Sequence, residues 1–362
     1  MLRHKHLQPR KRKLLTCVIG ATCAEGCVII SDTRTMREFE ANNESKIHVL
    51  WDRVALAGAG TTALLDDFAS AIKDSKIPIA PSFGKTVQLI EDTMYALQER
   101  YQPRLGSDYD LQPIMMGLKD FDNGDPYLRL VHGHGFSEDI KEYAIIGHGA
   151  PYAASLFRLL YDNMLNVTEV AVLGFFTISA IISLGLDQTV GMTALGPEAI
   201  VLRANEKPEP NEPLLHFLRR TRQFDRLLLC AWSELEFNTD QAVTGQFGIG
   251  YLDEKAELLT DWSFRRKLDF LRKLKALTHK EYSKVKAFQE WRNKIFHRDG
   301  LEILYTMTEA EKDELMNQAV DAAQISFNVA FRTAHARPNG FIVQKGISNL
   351  PTVDTKGKLP QP

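Results

Sequence analysis

The chain has 362 residues, 44% of them apolar and 25% charged, a globular composition with room for two domains of ordinary size. Its net charge of −2 provides no global field that would draw it to nucleic acid or to a membrane surface. Four cysteines with no CxxC pair among them argue against a disulfide framework or a zinc site and fit a reducing cytoplasm. No metal and no cofactor is expected.

The first stretch, "RHKHLQPRKRK" at 3–13, is strongly basic and has no apolar core. Residues 1–15 therefore read as a basic arm or propeptide rather than a secretory signal. "TCVIGAT" and "CVIISDT" flank "CAEG" and predict a hairpin. "KIHVL" and "RVALAGAG" around "WD" predict a second. Helical spacing follows in "TTALLDDFASAIKDS" and "KTVQLIEDTMYALQERY". Strands return in "LQPIMMGLK", "YLRLVHG" and "EYAIIGHG". "APYAASLFRLLYDNML" and "VAVLGFFTISAIISLGL" are helices again. The second of these spans only 170–186, short of the roughly 20 residues a bilayer needs, and predicts a buried helix. "PEAIVLRA" is a last strand. Hairpins with helix pairs between them predict an α+β class: over 16–204, two antiparallel sheets face to face with helices outside, a four-layer αββα sandwich.

"NEKPEPNEP" at 205–213 has the composition of a linker. From 214 to 335 almost every segment has helical period, which predicts an all-α helical domain. Thr278 with Glu281, and Thr308 with Glu311, have the spacing of capping boxes. Gly300 follows "HRD" as a helix stop. The tail 336–362 is expected to be poorly ordered.

Thr16 opens the first strand and Asp32 closes the second. A hydroxyl is a weak nucleophile and needs a base. An N-terminal threonine brings its own, the free α-amino group, provided the Leu15–Thr16 bond is cut. A nearby lysine would polarise the hydroxyl, a carboxylate would hold the lysine, and a backbone N–H would receive the developing oxyanion. Those parts occur in order: Asp32, with Arg34 close behind it, then Lys46 at the start of "KIHVL", then Gly60 at the end of "AGAG".

On these residues the region 16–204 resembles the proteasome α/β-subunit family of N-terminal-nucleophile hydrolases. "YAIIGHGAPYAASLFRLLYDNM" is similar to the family's Gly-x-Gly turn into a helix, and "LDQTVG" to the place where the family has a further Asp. The resemblance implies a threonine-type site that cuts peptide or other amide bonds. Thr16 would be nucleophile and base, Lys46 the polarising cation and Asp32 its partner. The Gly60 N–H would be the oxyanion donor, and Asp187 would orient the amino end. It also implies association with other copies of the chain.

The chain departs from the family pattern at several points. His148 and Val190 stand where the family has supporting serines. Leu15 stands where self-processing members have Gly, and the Asp–Lys interval is shorter by two. The family also contains subunits that catalyse nothing, so an inert scaffold is the rival reading. Cys17 is a second nucleophile type, but it lies one residue out of register with Asp32 and on the other face of the strand.

The stretch "EWRNKIFHRDG" at 290–300 places Arg292, Asn293 and His297 near one another on a helix. This resembles the HEPN family, whose signature is Arg-x4-His, over about 214–330. The resemblance implies an RNA-binding module. If it is active, it would be a metal-free RNase in which Arg292 stabilises phosphoryl charge and His297 transfers protons. It also implies pairing of protomers, so both halves of the chain point to a homo-oligomer.

Overall fold

The computed structural model describes residues 16–37, 40–43, 45–51, 54–59, 62–75, 83–105, 114–119, 124–183, 186, 190, 192, 195–204, 206, 211–247, 262–296, 303 and 306–335. The expected arm 1–15, the tail 336–362, Gly300 and the site candidates Gly60, Asp187 and His297 lie outside these residues. The chain divides into two compact units, 1–230 and 231–362.

The first unit begins with β1 (Val18–Cys23) and β2 (Gly26–Ser31). The hairpin read in the sequence forms, antiparallel, with Val18 opposite Ser31 and Cys23 opposite Gly26. A polar hairpin, β3 (Arg34–Arg37) and β4 (Glu40–Asn43), follows. The second sheet then starts with β5 (Ile47–Leu50) and β6 (Val54–Gly58). Two helices intervene, α1 (Thr62–Asp74) and α2 (Phe83–Leu105). β7 (Ile114–Lys119), β8 (Pro126–His132) and β9 (Phe136–Asp139) complete that sheet in the order β5-β6-β7-β8-β9.

The chain returns to the first sheet with β10 (Tyr143–Ile146), then forms α3 (Ala150–Leu160) and α4 (Val167–Ser183). β11 (Glu198–Arg203) and the short β12 (Glu212–Pro213) close the order β10-β1-β2-β11-β12. Among the described residues, these are two five-stranded antiparallel sheets and one two-stranded hairpin.

Strand alternation explains the layering. Ala55 and Ala57 of β6 join Val18, Cys27, Ile29, Leu128 and Ile200 in a core between the sheets. The intervening Val54 and Leu56 turn the other way, onto Phe68 and Ile72 of α1 and Ile90 and Met94 of α2. On the first sheet, α4 lies against β2. Gly174 lets the helix come down on Ile30, where a Cβ would collide with that side chain. The apolar stretch at 170–186 thus falls largely within α4, which buries residues on every side, including Val170, Phe175, Ile178 and Ile181. Among the described residues no helix is long and apolar enough to cross a membrane. The architecture is the expected αββα sandwich.

The helical region follows as α5 (Leu214–Arg220) and α6 (Phe224–Phe247). The break between them carries Arg222 at a φ of 57°. Beyond it lie α7 (Phe264–Lys273), α8 (His279–Phe296) and α9 (Glu309–His335). In the second unit, Trp232 packs on Phe264 and Phe288, and Lys267 is paired with Asp240. Both capping boxes form: Thr278 N–H donates to Glu281 at 2.9 Å and Glu281 N–H to Thr278 Oγ1 at 3.2 Å. The Thr308–Glu311 pair does the same at 2.8 and 3.3 Å. Each satisfies helix-start N–H groups that would otherwise lack partners.

Candidate active site

Three of the five residues expected at the threonine site converge. Thr16 precedes β1, Asp32 follows β2, and Lys46 leads into β5 of the opposing sheet. The first two come together because the β1–β2 hairpin sets Val18 opposite Ser31. Pairing continues one step beyond the ladder: Asp32 N–H donates to Cys17 O at 3.1 Å. Lys46 arrives from across the sandwich.

Thr16 Oγ1 donates to Asp32 Oδ1 at 2.5 Å. Lys46 Nζ donates to Thr16 Oγ1 at 2.5 Å and to Asp32 Oδ1 at 2.9 Å. The Cys17 backbone N–H adds a further donor to Asp32 Oδ1 at 2.8 Å. All three residues are buried, with exposures of 1%, 0% and 3% for Thr16, Asp32 and Lys46. A dry carboxylate is tolerable only where donors and a cation surround it, and Asp32 has both. The arrangement holds the Thr16 hydroxyl between an ammonium donor and a carboxylate acceptor, which fixes its orientation and polarises its oxygen.

The backbone of Thr16 is fixed separately. Its carbonyl accepts from Gly149 N–H at 3.2 Å. Gly147 has a φ of 98° and lies so close that a Cβ would run into the Thr16 carbonyl. The "GHG" turn ahead of α3 is therefore a seat for Thr16, a role its sequence resemblance did not specify. Gly147→Ala combines a left-handed backbone with a collision. It is expected to cost on the order of 2 kcal/mol, read as a lowered Tm in thermal unfolding. A wild-type Tm would show that the turn does not hold Thr16.

The two departures from the family's serines are visible in place. His148 is exposed. Val190 is buried and packs where a Cβ on Gly149 would stand. Cys17 is buried, and its backbone N–H meets Asp32. The side chain of Arg34 lies outside the described residues, as do Gly60 and Asp187.

Residues 14–185 match the Proteasome family, described as proteasome subunit. The N-terminal part of this chain is proteasome-like. The match includes Thr16, Asp32, Lys46 and Gly60 and ends two residues before Asp187. The solved structures similar to the chain include two Anbu proteins. One is an Anbu (Gly-1) mutant from Hyphomicrobium sp. strain MC1, with a TM-score of 0.46 and 16% identity over 60% of this chain and 96% of that one. The other is Anbu (ancestral beta-subunit) from Yersinia bercovieri, with a TM-score of 0.46 and 14% identity over 60% and 97%. No curated protein matches the sequence.

In the second unit, Arg292 and Asn293 sit near the end of α8. The Arg292 guanidinium lies over the Trp232 ring at 4.5 Å, and its Nη1 donates to Asn293 Oδ1 at 3.4 Å. Asn293 is exposed. Among the described residues, no group of three or more His, Cys, Asp or Glu side chains is placed to hold a metal ion.

Proposed function

We propose that the chain is a threonine hydrolase that cuts peptide or other amide bonds, with Thr16 as nucleophile once the Leu15–Thr16 bond is cut. The observation that carries this reading is the buried Lys46–Thr16–Asp32 contact, in which Lys46 Nζ donates to the Thr16 hydroxyl. The freed α-amino group takes the hydroxyl proton as Oγ1 attacks the substrate carbonyl. Collapse of the tetrahedral adduct breaks the C–N bond, and the proton passes to the leaving amine. Water then attacks the ester and regenerates Thr16. The proposal assigns the oxyanion to the Gly60 N–H and the orientation of the amino end to Asp187. It places the chain in a reducing cytoplasm, where its four cysteines are free thiols, as a homo-oligomer. Intact mass tests it: the expected protein begins at Thr16 and turns over a peptide amide. A purified chain that keeps Leu15 and shows no turnover would overturn it.

A second reading has its own support. The exposed His148 and the buried Val190 replace hydroxyls that the family resemblance would place beside the amino end. In this reading the sandwich is an inert scaffold, and the helical unit is a HEPN-like module that binds or cuts RNA. Residues 262–296 carry eleven Lys or Arg against three Asp or Glu, a surplus suited to phosphates. Here His297→Ala abolishes cleavage of an RNA substrate while RNA binding, held by Arg292 and the lysines, stays within about threefold. Cleavage that persists in this variant would rule out His297 as the proton-transfer group.

A further inference from the structure

Lys46 reaches Thr16 from the opposite sheet, so something must fix its backbone relative to β1 and β2. Regular strand pairing does not reach that far. β5 begins at Ile47, whose ladder partner is Ala57, and Ser45 and Lys46 precede the ladder. Their partner comes from the other sheet. Glu198 opens β11, directly opposite Ser31, the residue before Asp32. Its Oε2 accepts from the Lys46 backbone N–H at 3.2 Å and from Ser45 Oγ at 2.9 Å. Asn211, just ahead of β12, closes the cluster. Its Nδ2 donates to Ser45 Oγ at 3.0 Å, to Ile47 O at 3.3 Å and to Glu198 Oε2 at 3.5 Å.

We infer that Glu198 is the positioning residue of the threonine site, a strut between the two sheets that seats Lys46 against Thr16 and Asp32. The proposal rests on the hydrolase reading for its effect on turnover, but not for its effect on Lys46. A lysine side chain is a long, flexible stem with a compact charge. Holding its ammonium within hydrogen-bond reach of two groups requires a fixed Cα. Glu198 supplies that by anchoring the lead-in to β5 to the strand that runs beside β2. Burial pushes the Glu198 carboxyl above the ordinary carboxylate range, against the pull of Ser45, the Lys46 N–H, Asn211 and the Lys46 charge. A half-buried carboxylate of that kind is held by its donors rather than by solvent. Glu212 of β12, the strand paired with β11, is engaged instead with Arg220 at 2.7 Å.

The test reads Lys46 directly. In folded wild-type protein, acylation of Lys46 by an amine-reactive ester, followed by peptide mass spectrometry, is expected to be slow because the side chain is buried. Glu198→Ala is expected to speed labelling at Lys46 about tenfold by opening this edge locally. It should lower kcat by about tenfold to a hundredfold through misplacement of the ammonium, with little change in KM. Glu198→Gln keeps an acceptor oxygen and should hold both quantities within about threefold of wild type. If Glu198→Ala does not fold, Glu198→Asp carries the test. It shortens the arm by one methylene and should raise labelling about fivefold or more, beyond the range expected of Glu198→Gln. Wild-type protection of Lys46 in a folded Glu198→Ala or Glu198→Asp protein overturns the inference. Faster labelling in a protein whose wild type shows no Thr16-dependent turnover supports the strut and instead fails the hydrolase reading.

Discussion

Thr16→Ala is expected to lower turnover of a peptide amide on the order of 10⁴-fold while the protein still folds. The hydroxyl is the only group removed that could attack a carbonyl. Its loss also removes two buried hydrogen bonds, one from Lys46 and one to Asp32. The Lys46–Asp32 contact at 2.9 Å survives, so neither charge is stranded. The stability cost should therefore be about 1–2 kcal/mol, small enough to leave a cooperative melt. Thr16→Ser keeps the nucleophile and should retain most of the activity. Cys17→Ala should leave turnover intact, because Asp32 meets Cys17 through its backbone N–H. Turnover by Thr16→Ala at the wild-type rate, in protein free of contaminating hydrolase, would sink the assignment.

How much of this was legible in the sequence depended on how local the signal was. The β1–β2 and β5–β6 hairpins were readable because each joins two short, mostly apolar runs across a short turn. The capping boxes were readable because both partners lie three residues apart. The β3–β4 hairpin was not, since "RTMREFEANN" has no apolar face for a period to mark. β9, "FSED", escaped for the same reason, and β12 is too short to carry a pattern. At the site, Thr16, Asp32 and Lys46 were found because each sits at a strand end whose position follows from the hairpins. Glu198 was not found. It lies 152 residues from Lys46, and an acidic residue opening a strand reads as solvent-facing until the other sheet is in place. Gly147 was visible as part of a turn, but its reason, the Thr16 carbonyl beside it, is a tertiary one.

Lys46→Met separates what the lysine does for the fold from what it does for chemistry. Methionine keeps an unbranched stem, one atom shorter, and removes the ammonium with its charge and the hydrogen bonds it donates to Thr16 and Asp32. Asp32, with no exposure of its own, would keep the Thr16 hydroxyl and the Cys17 N–H as donors but lose its buried cation. Breaking a dry ion pair from one side costs about 3–5 kcal/mol, because a charge is left without compensation. The shared donors place the expectation near the lower end. In a unit that spans residues 1–230 that corresponds to a drop in Tm of about 6 °C. Turnover should fall as far as in Thr16→Ala, since residues that act as a unit do not lose activity additively. The decisive comparison is the double variant Lys46→Met with Asp32→Asn. Removing both charges relieves the stranded carboxylate, so most of the lost stability should return, while activity stays absent because nothing polarises the hydroxyl. A Lys46→Met protein that melts with the wild type would mean that the ammonium is not part of a buried pair. A double variant that regains turnover would mean that the pair serves the fold alone.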